Sequence, residues 1–272
     1  MDGHLGGISQ EDQQLLRGTA QFALGGKRVV VTGASRGIGR ALAIGLAACG
    51  ADVALVGRDR EALAEVQDVI AQAFDARVAS YACDLRNVDS IRAMTEAVVA
   101  DGTVDVLVNN AGVNIRESAF DVTPESWQTI IDTDLRGAFF TAQAFGKHMV
   151  GRRSGSIVNI SSVGGHVALR TGVVYAAAKA GLQQMTKVLA MEWGKHQVRV
   201  NAVGPWYFRT PLTAKLLDQP DYLADILART PLGRVGELHE LVGPVVFFAS
   251  DASTYVTGQT LFVDGGMTIF GF

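Results

Sequence analysis

Short, continuous apolar runs alternate with longer stretches of helical periodicity along most of the 272-residue chain. The runs are Arg28–Thr32 (RVVVT), Ala51–Gly57 (ADVALVG), Val78–Cys83, Val104–Asn109 (VDVLVN), Gly155–Ser161 (GSIVNIS), Val198–Val203 (VRVNAV) and Gln259–Val263 (QTLFV). A strand that is apolar at nearly every position, rather than at every second one, has both faces buried. Helices covering both sides of a parallel sheet produce that pattern. Helical spacing fills the intervals over Gly37–Gly50, Arg60–Phe74, Val88–Ala100, one long helix Trp127–Val150, Gly172–Lys195 and Glu240–Ser250. The order predicts an α/β protein with a doubly wound parallel sheet and helices on both faces. In such a fold ligands bind at the carboxyl ends of the strands, where the strand order reverses. Residues 1–20 are polar and read as an N-terminal arm, with a short helix starting after Ser9. Residues 21–272 read as one domain, because neither a linker-like composition shift nor an internal repeat divides them.

Composition narrows the function classes. The net charge is −3 and no block of like charges occurs, which speaks against nucleic-acid or membrane-surface partners. Cys49 and Cys83 sit in apolar patterns and read as reduced core residues. No CxxC or HExxH motif points to a metal site. The N-terminus lacks the pattern of a secretory signal, and no apolar run is long enough to span a bilayer. A cytoplasmic location is the expectation.

Between the first strand and the first helix stands Thr32-Gly33-Ala34-Ser35-Arg36-Gly37-Ile38-Gly39. Glycines there permit a tight turn and close backbone approach to a pyrophosphate, while the helix N-terminus offers free N–H groups and the positive end of its dipole. The spacing is G-x-x-x-G-x-G, and alone such a turn is weak evidence of a ligand. The second strand ends in Gly57-Arg58, where an NAD-binding fold usually carries an acid for the adenosine ribose. Arg58, helped by Arg36, can instead meet a 2′-phosphate through charge-assisted hydrogen bonds. Asp59 should project elsewhere. The expected cofactor is NADP(H).

Tyr175-Ala-Ala-Ala-Lys179 lies in a helical stretch, and residues four apart share a face. A phenol is ordinarily too weak an acid to exchange its proton readily near neutral pH. A neighbouring ammonium, with the charge of an oxidised nicotinamide, stabilises the phenolate. Tyr175 can then protonate an alkoxide formed by hydride addition, or deprotonate an alcohol in reverse. Ser162, just past a strand end, can hydrogen-bond a substrate carbonyl oxygen. Ser161 competes for that role.

Taken together, these motifs resemble the short-chain dehydrogenases/reductases over nearly all of residues 22–272. The resemblance rests on TGASRGIG at 32–39, Asp84-Leu85 after the third strand, NNAG at 109–112, Ser162, Tyr175-x-x-x-Lys179 and a Pro205…Thr210 segment after the sixth strand. It implies a seven-stranded Rossmann sheet, an NADP(H)-dependent exchange between a carbonyl and a secondary alcohol, and a homotetramer or homodimer. It also implies that Gly33, Ser35, Arg36, Gly37, Ile38 and Gly39 form the phosphate loop, with Asp84 and Leu85 at the adenine. Asn110, Ala111 and Gly112 would hold the ribose side, and Lys179 the nicotinamide ribose. Pro205 and Thr210 would lie at the nicotinamide carboxamide. The tail segments Arg229–Arg234 and Phe262–Met267 resemble gluconate 5-dehydrogenase-like and tropinone reductase-like members.

Two positions depart from the family pattern. Thr133-Asp134-Leu135-Arg136-Gly137 carries Asp134 where an Asn of the catalytic set is expected. A carboxylate can accept from Lys179 or a water but cannot donate an amide N–H. Trp206 follows Pro205 where Gly is usual, and should fill part of the pocket mouth or cover the nicotinamide. Asn114, Arg116, His166, Arg170, Trp206, Tyr207 and Leu212 are candidates for the substrate pocket, with Arg116 and Arg170 suited to a carboxylate. Residues near 206–232 are expected to form a lid. Two competing readings use the same fold: an epimerase or dehydratase, whose relatives are longer, and a non-catalytic dinucleotide-sensing or scaffold protein.

Overall fold

The computed structural model describes residues 18–271. The helix expected after Ser9 lies outside the described residues. Gly18–Phe22 forms a 3-10 turn, and the sheet begins at β1, Arg28–Thr32. Strands β2 (Asp52–Gly57), β3 (Val78–Ala82), β4 (Val106–Asn109), β5 (Gly155–Ile160), β6 (Val198–Pro205) and β7 (Thr260–Val263) complete it. The order is β3-β2-β1-β4-β5-β6-β7, and every pairing is parallel. The direction of winding reverses between β1 and β4, so the crevice for a ligand opens there, as the alternation of runs predicts.

The continuous apolar runs are explained by two cores. Val29 and Val31 of β1 pack on one face with Leu42 and Leu46 of α1 (Gly37–Ala48), Leu63 and Ile70 of α2 (Arg60–Ala73) and Phe248. Val30, between them in the chain, packs on the opposite face with Ile91 and Val98 of α3 (Val88–Ala100), and with Phe145 and Met149. Adjacent residues of each central strand thus face different helical layers, and the few polar side chains buried there, such as Ser156, Asn159 and Asn201, are hydrogen-bonded.

The long helix expected over Trp127–Val150 is instead interrupted. α4 spans Pro124–Ile131, a π-helical turn covers Asp132–Arg136, and α5 runs Gly137–Arg152. The start moves upstream because Thr123 and Ser126 form a reciprocal capping box with Pro124 at the first helical position. In the turn, the Gly137 N–H bonds back to the Asp132 carbonyl, one residue further than in an α-helix. Each flank keeps its own helical spacing and no residue type marks the extra position between them, so the sequence reads as one helix. α6, Val173–Trp193, crosses beside β5 and β6 and carries the Tyr/Lys pair. β6 continues two residues past Val203 and delivers Pro205 and Trp206 to the crevice. Two short helices, α7 (Ala214–Leu217) and α8 (Pro220–Ala228), follow within the segment expected to form a lid. The last helix predicted, Glu240–Ser250, opens as a 3-10 turn and becomes α9, Val242–Ala249.

Candidate active site

A cleft of about 500 Å³ opens at the carboxyl ends of the strands. Its lining includes Gly33, Ser35, Arg36, Gly37, Ile38 and Gly39 from the glycine loop, Arg58 after β2, and Asp84 and Leu85 after β3. Asn110, Ala111, Gly112, Asn114 and Arg116 enter after β4, Ser161 and Ser162 after β5, and Tyr175 and Lys179 from α6. Pro205, Trp206, Tyr207, Thr210 and Leu212 enter after β6. Residues as far apart in the chain as Gly33 and Thr213 therefore share one cavity.

The glycine loop is built for close backbone contact. A side chain at Gly39 would collide with the Gly33 carbonyl oxygen and the Asn110 amide, so only glycine lets α1 begin this near β1. Asn110 braces the loop by donating to the carbonyls of Thr32 (2.9 Å) and Gly33 (3.3 Å). Its side chain is thus committed to the protein, and the residue contributes to the cleft mainly through its position. No side chain caps the N-terminus of α1, leaving its N–H groups directed at the cleft. Arg36 and Arg58 line the same end and form no ion pair among the described residues. Asp59 caps α2 by accepting from the Ala62 N–H and stays out of the lining. Asp84 is bound by Arg86 at 2.7 Å, and this hydrogen-bonded ion pair holds its carboxyl below the usual range. These features fit a phosphate-bearing dinucleotide: open N–H donors, two free guanidinium groups and no acid at the end of β2.

At the other end, α6 places Tyr175 and Lys179 one turn apart, with Lys179 Nζ 5.5 Å from the Tyr175 ring centre. The two serines separate cleanly. Ser161 donates to the Lys179 carbonyl and accepts from Gln183 Nε2, both at 3.1 Å, so its hydroxyl is used inside the protein. The Ser162 oxygen accepts only from the Gly164 N–H at 3.1 Å, which leaves its proton for a ligand.

Asp134 is fully buried in the π-helical turn. Its Oδ1 accepts from the Val113 N–H at 2.7 Å, and its Oδ2 lies 3.2 Å from Lys179 Nζ. That second contact is an ion pair whose angles fall short of a hydrogen bond. Lys179 also donates to the Ile160 carbonyl at 3.1 Å. Burial pushes the Asp134 carboxyl above the usual carboxylate range, against the opposing pull of Lys179 and the Val113 N–H. Burial disfavours the Lys179 charge, yet Asp134 and Tyr175 outweigh it and raise the ammonium above the ordinary lysine range.

Around the substrate end, Trp206 Nε1 donates to Thr230 Oγ1 at 3.1 Å, and its ring meets Tyr207 edge-on at 4.6 Å. The Tyr207 hydroxyl lies 2.6 Å from that of Tyr222 on α8, and burial together with this hydrogen bond pushes the Tyr207 phenol up. Two expected pocket residues are not brought to the cleft. His166 is exposed and packs against Phe262, because the turn after Ser162 carries it outward. Arg170 is exposed, pairs with Asp225 and covers the Tyr222 ring. Tyr222 is a neighbour that sequence reasoning missed, since nothing in a lone Tyr on a short helix marks it as a partner of Tyr207.

The similarity to known proteins agrees with this geometry. Residues 33–268 match the family model described as enoyl-(acyl carrier protein) reductase. Gluconate 5-dehydrogenase of Gluconobacter oxydans (strain 621H) is 40% identical over 250 residues, covering 91% of this chain and 97% of that protein. A tropinone reductase homolog of Arabidopsis thaliana is 39% identical over 259 residues, covering 93% and 96%. The crystal structure of a gluconate 5-dehydrogenase from Burkholderia cenocepacia J2315 in complex with NADP and tartrate superposes with a TM-score of 0.87 at 38% identity, covering 92% of this chain and 98% of that one. The chain belongs to the short-chain dehydrogenase/reductase family.

Proposed function

We propose that the protein is an NADP(H)-dependent oxidoreductase that interconverts a ketone and a secondary alcohol on a small carboxylate-bearing substrate of the sugar-acid type. The observation that carries this is the meeting of Ser162, Tyr175 and Lys179 in one cleft with the open glycine loop and two unpaired arginines. Bound NADPH would supply a hydride to the carbonyl carbon. Ser162 donates a hydrogen bond to the carbonyl oxygen and holds it toward Tyr175. As the C–H bond forms, the C=O electron pair moves onto oxygen, and the Tyr175 hydroxyl gives that oxygen its proton. Lys179 stabilises the tyrosinate left behind, and the alcohol and NADP+ are the products. Oxidation follows the same atoms in reverse. The full-length relatives named as dehydrogenases acting on gluconate support the carbonyl/alcohol reading over reduction of a carbon–carbon double bond.

Arg116 supports the carboxylate. It lines the cleft, sits 5.9 Å over the Tyr207 ring, and has no carboxylate partner among the described residues. Asn114 Oδ1 is buried nearby with no donor, which suits a substrate hydroxyl. Arg116→Leu should lower kcat/KM for a keto-acid by about tenfold to a hundredfold, the worth of a hydrogen bond to a charged group. Reduction of a neutral cyclic ketone should hardly change. A loss of equal size on both substrates would remove Arg116 from carboxylate recognition. A reductase screen with NADPH against keto-sugar acids, neutral keto-sugars and cyclic ketones tests the wider reading. Failure of every carbonyl substrate would refute it.

The same reading extends to assembly and setting. Trp127 of α4 and Val188 and Met191 of α6 are exposed, as are Leu261, Ile269 and Phe270 on and beyond the edge strand β7. Apolar groups beside an uncovered strand edge favour self-association as a homodimer or homotetramer. Residues 206–232 act as a lid over the substrate, with the Tyr207–Tyr222 contact joining α8 to the pocket wall. No described helix is long and apolar enough to cross a membrane, and the cytoplasm is the proposed location.

A further inference from the structure

We infer that Asp134 is a positioning residue that acts through Lys179 to retain protons at the catalytic pair, extending carbonyl reduction to higher pH. The geometry carries the argument. Lys179 is buried, and the charge that faces its ammonium directly is the Asp134 carboxylate at 3.2 Å. Asp134 is itself fixed, since the Val113 N–H holds one oxygen and directs the other at Lys179. Gly112 leaves room for the approach, because a side chain there would stand 2.7 Å from Asp134 Oδ2 and 3.3 Å from Lys179 Nζ. The protein has thus built a closed ion pair within reach of Tyr175, where a lone ammonium would present its full positive charge.

The sign follows from elementary electrostatics. A fixed negative charge raises the proton affinity of every group that feels it. At Lys179 it keeps the ammonium charged despite burial. At Tyr175 it offsets part of the field that would favour the tyrosinate. The protons of such a cluster leave in steps that belong to the group of residues rather than to one of them. Both effects therefore move the alkaline loss of reductase activity in the same direction, upward. Oxidation, which needs the ionised phenol, is correspondingly displaced to more alkaline conditions. The other ionisable groups that line the cleft are Arg36 from the glycine loop, Arg58 after β2, Cys83 after β3, Arg116 from the loop after β4 and Tyr207 from the loop after β6. Asp84, the other carboxylate in the lining, is paired with Arg86 at the far end. Ser161 and Ser162, just after β5, do not titrate in this range.

The inference rests on the carbonyl reductase reading, and two measurements keep the failures apart. In the first, kcat/KM for carbonyl reduction is followed against pH in wild type and Asp134→Asn. The alkaline limb should move to lower pH by about one to two units, the size expected for one charge removed at this range in a protein interior. A uniform loss with an unmoved limb means that Asp134 is only structural, and a limb moved to higher pH reverses the sign; either result overturns the inference. The second needs no turnover and no Asp134 variant. 15N-lysine spectra of the wild-type protein, with the Lys179 signal assigned by Lys179→Met, should show an ammonium that persists above the range of the exposed lysines. A Lys179 signal that turns to neutral amine below that range would overturn the inference even if no substrate had been found.

Discussion

Tyr175→Phe should bind NADP(H) as the wild type does and lose about 10²- to 10⁴-fold in kcat for carbonyl reduction, the usual contribution of a positioned general acid. The substitution removes one oxygen and leaves the ring. Tyr175 forms no intraprotein hydrogen bond among those described near the cleft, and its link to Lys179 is a ring–cation contact at 5.5 Å that Phe preserves. Folding and the ion pair beneath it should therefore survive. Stopped-flow single-turnover kinetics with NADPH and a ketone separates hydride transfer from product release. A variant with unchanged single-turnover rate would take the proton-transfer role away from Tyr175, and Ser162 would then be the candidate donor. The loss should be largest below the alkaline limb of the wild type, where Tyr175 still holds its proton. The contrast with Asp134→Asn is informative: removal of the acid lowers the plateau itself, whereas removal of the carboxylate behind Lys179 displaces one limb.

Much of this arrangement is legible in the sequence, for physical reasons that differ by element. The central strands announce themselves because burial on both faces makes most of their positions apolar in succession, as at Val29, Val30 and Val31. The Tyr175/Lys179 pair is legible because a single α6 fixes their relation by helical geometry alone. The π-helical turn is not, because each flanking helix keeps its own spacing and no residue type marks the extra position, and yet that turn is what carries Asp134 into the interior beside Lys179. Which of Ser161 and Ser162 is free depends on Gln183, two turns along another element. His166 and Arg170 illustrate the limit from the other side: both follow Ser162 closely in sequence, but a 3-10 turn and the irregular loop after it carry them outward to Phe262 and Asp225. Proximity along a loop is a poor guide to proximity at a site when the loop has no period.

Arg36 and Arg58 define the second large expectation. Replacing both by Gln should lower the preference for NADPH over NADH by about 10²- to 10⁴-fold in kcat/KM, mainly through the NADPH term. Each guanidinium bound to a phosphate contributes about 1.5–3 kcal/mol, or roughly tenfold to a hundredfold. The structure favours a phosphate there because both side chains lie at the glycine-loop end without a carboxylate partner, while the nearest acids are engaged: Asp59 caps α2, and Asp84 is tied to Arg86. NADH has no 2′-phosphate and should lose little. The preference of the wild type should also weaken as salt is raised, since the arginines are exposed and their attraction is screened, and the double variant should be less salt-sensitive. Steady-state kinetics with both cofactors at two ionic strengths provides the test. If the ratio of the two efficiencies is unchanged in the double variant, the arginines are solvated surface charges and the choice of cofactor is made elsewhere in the cleft.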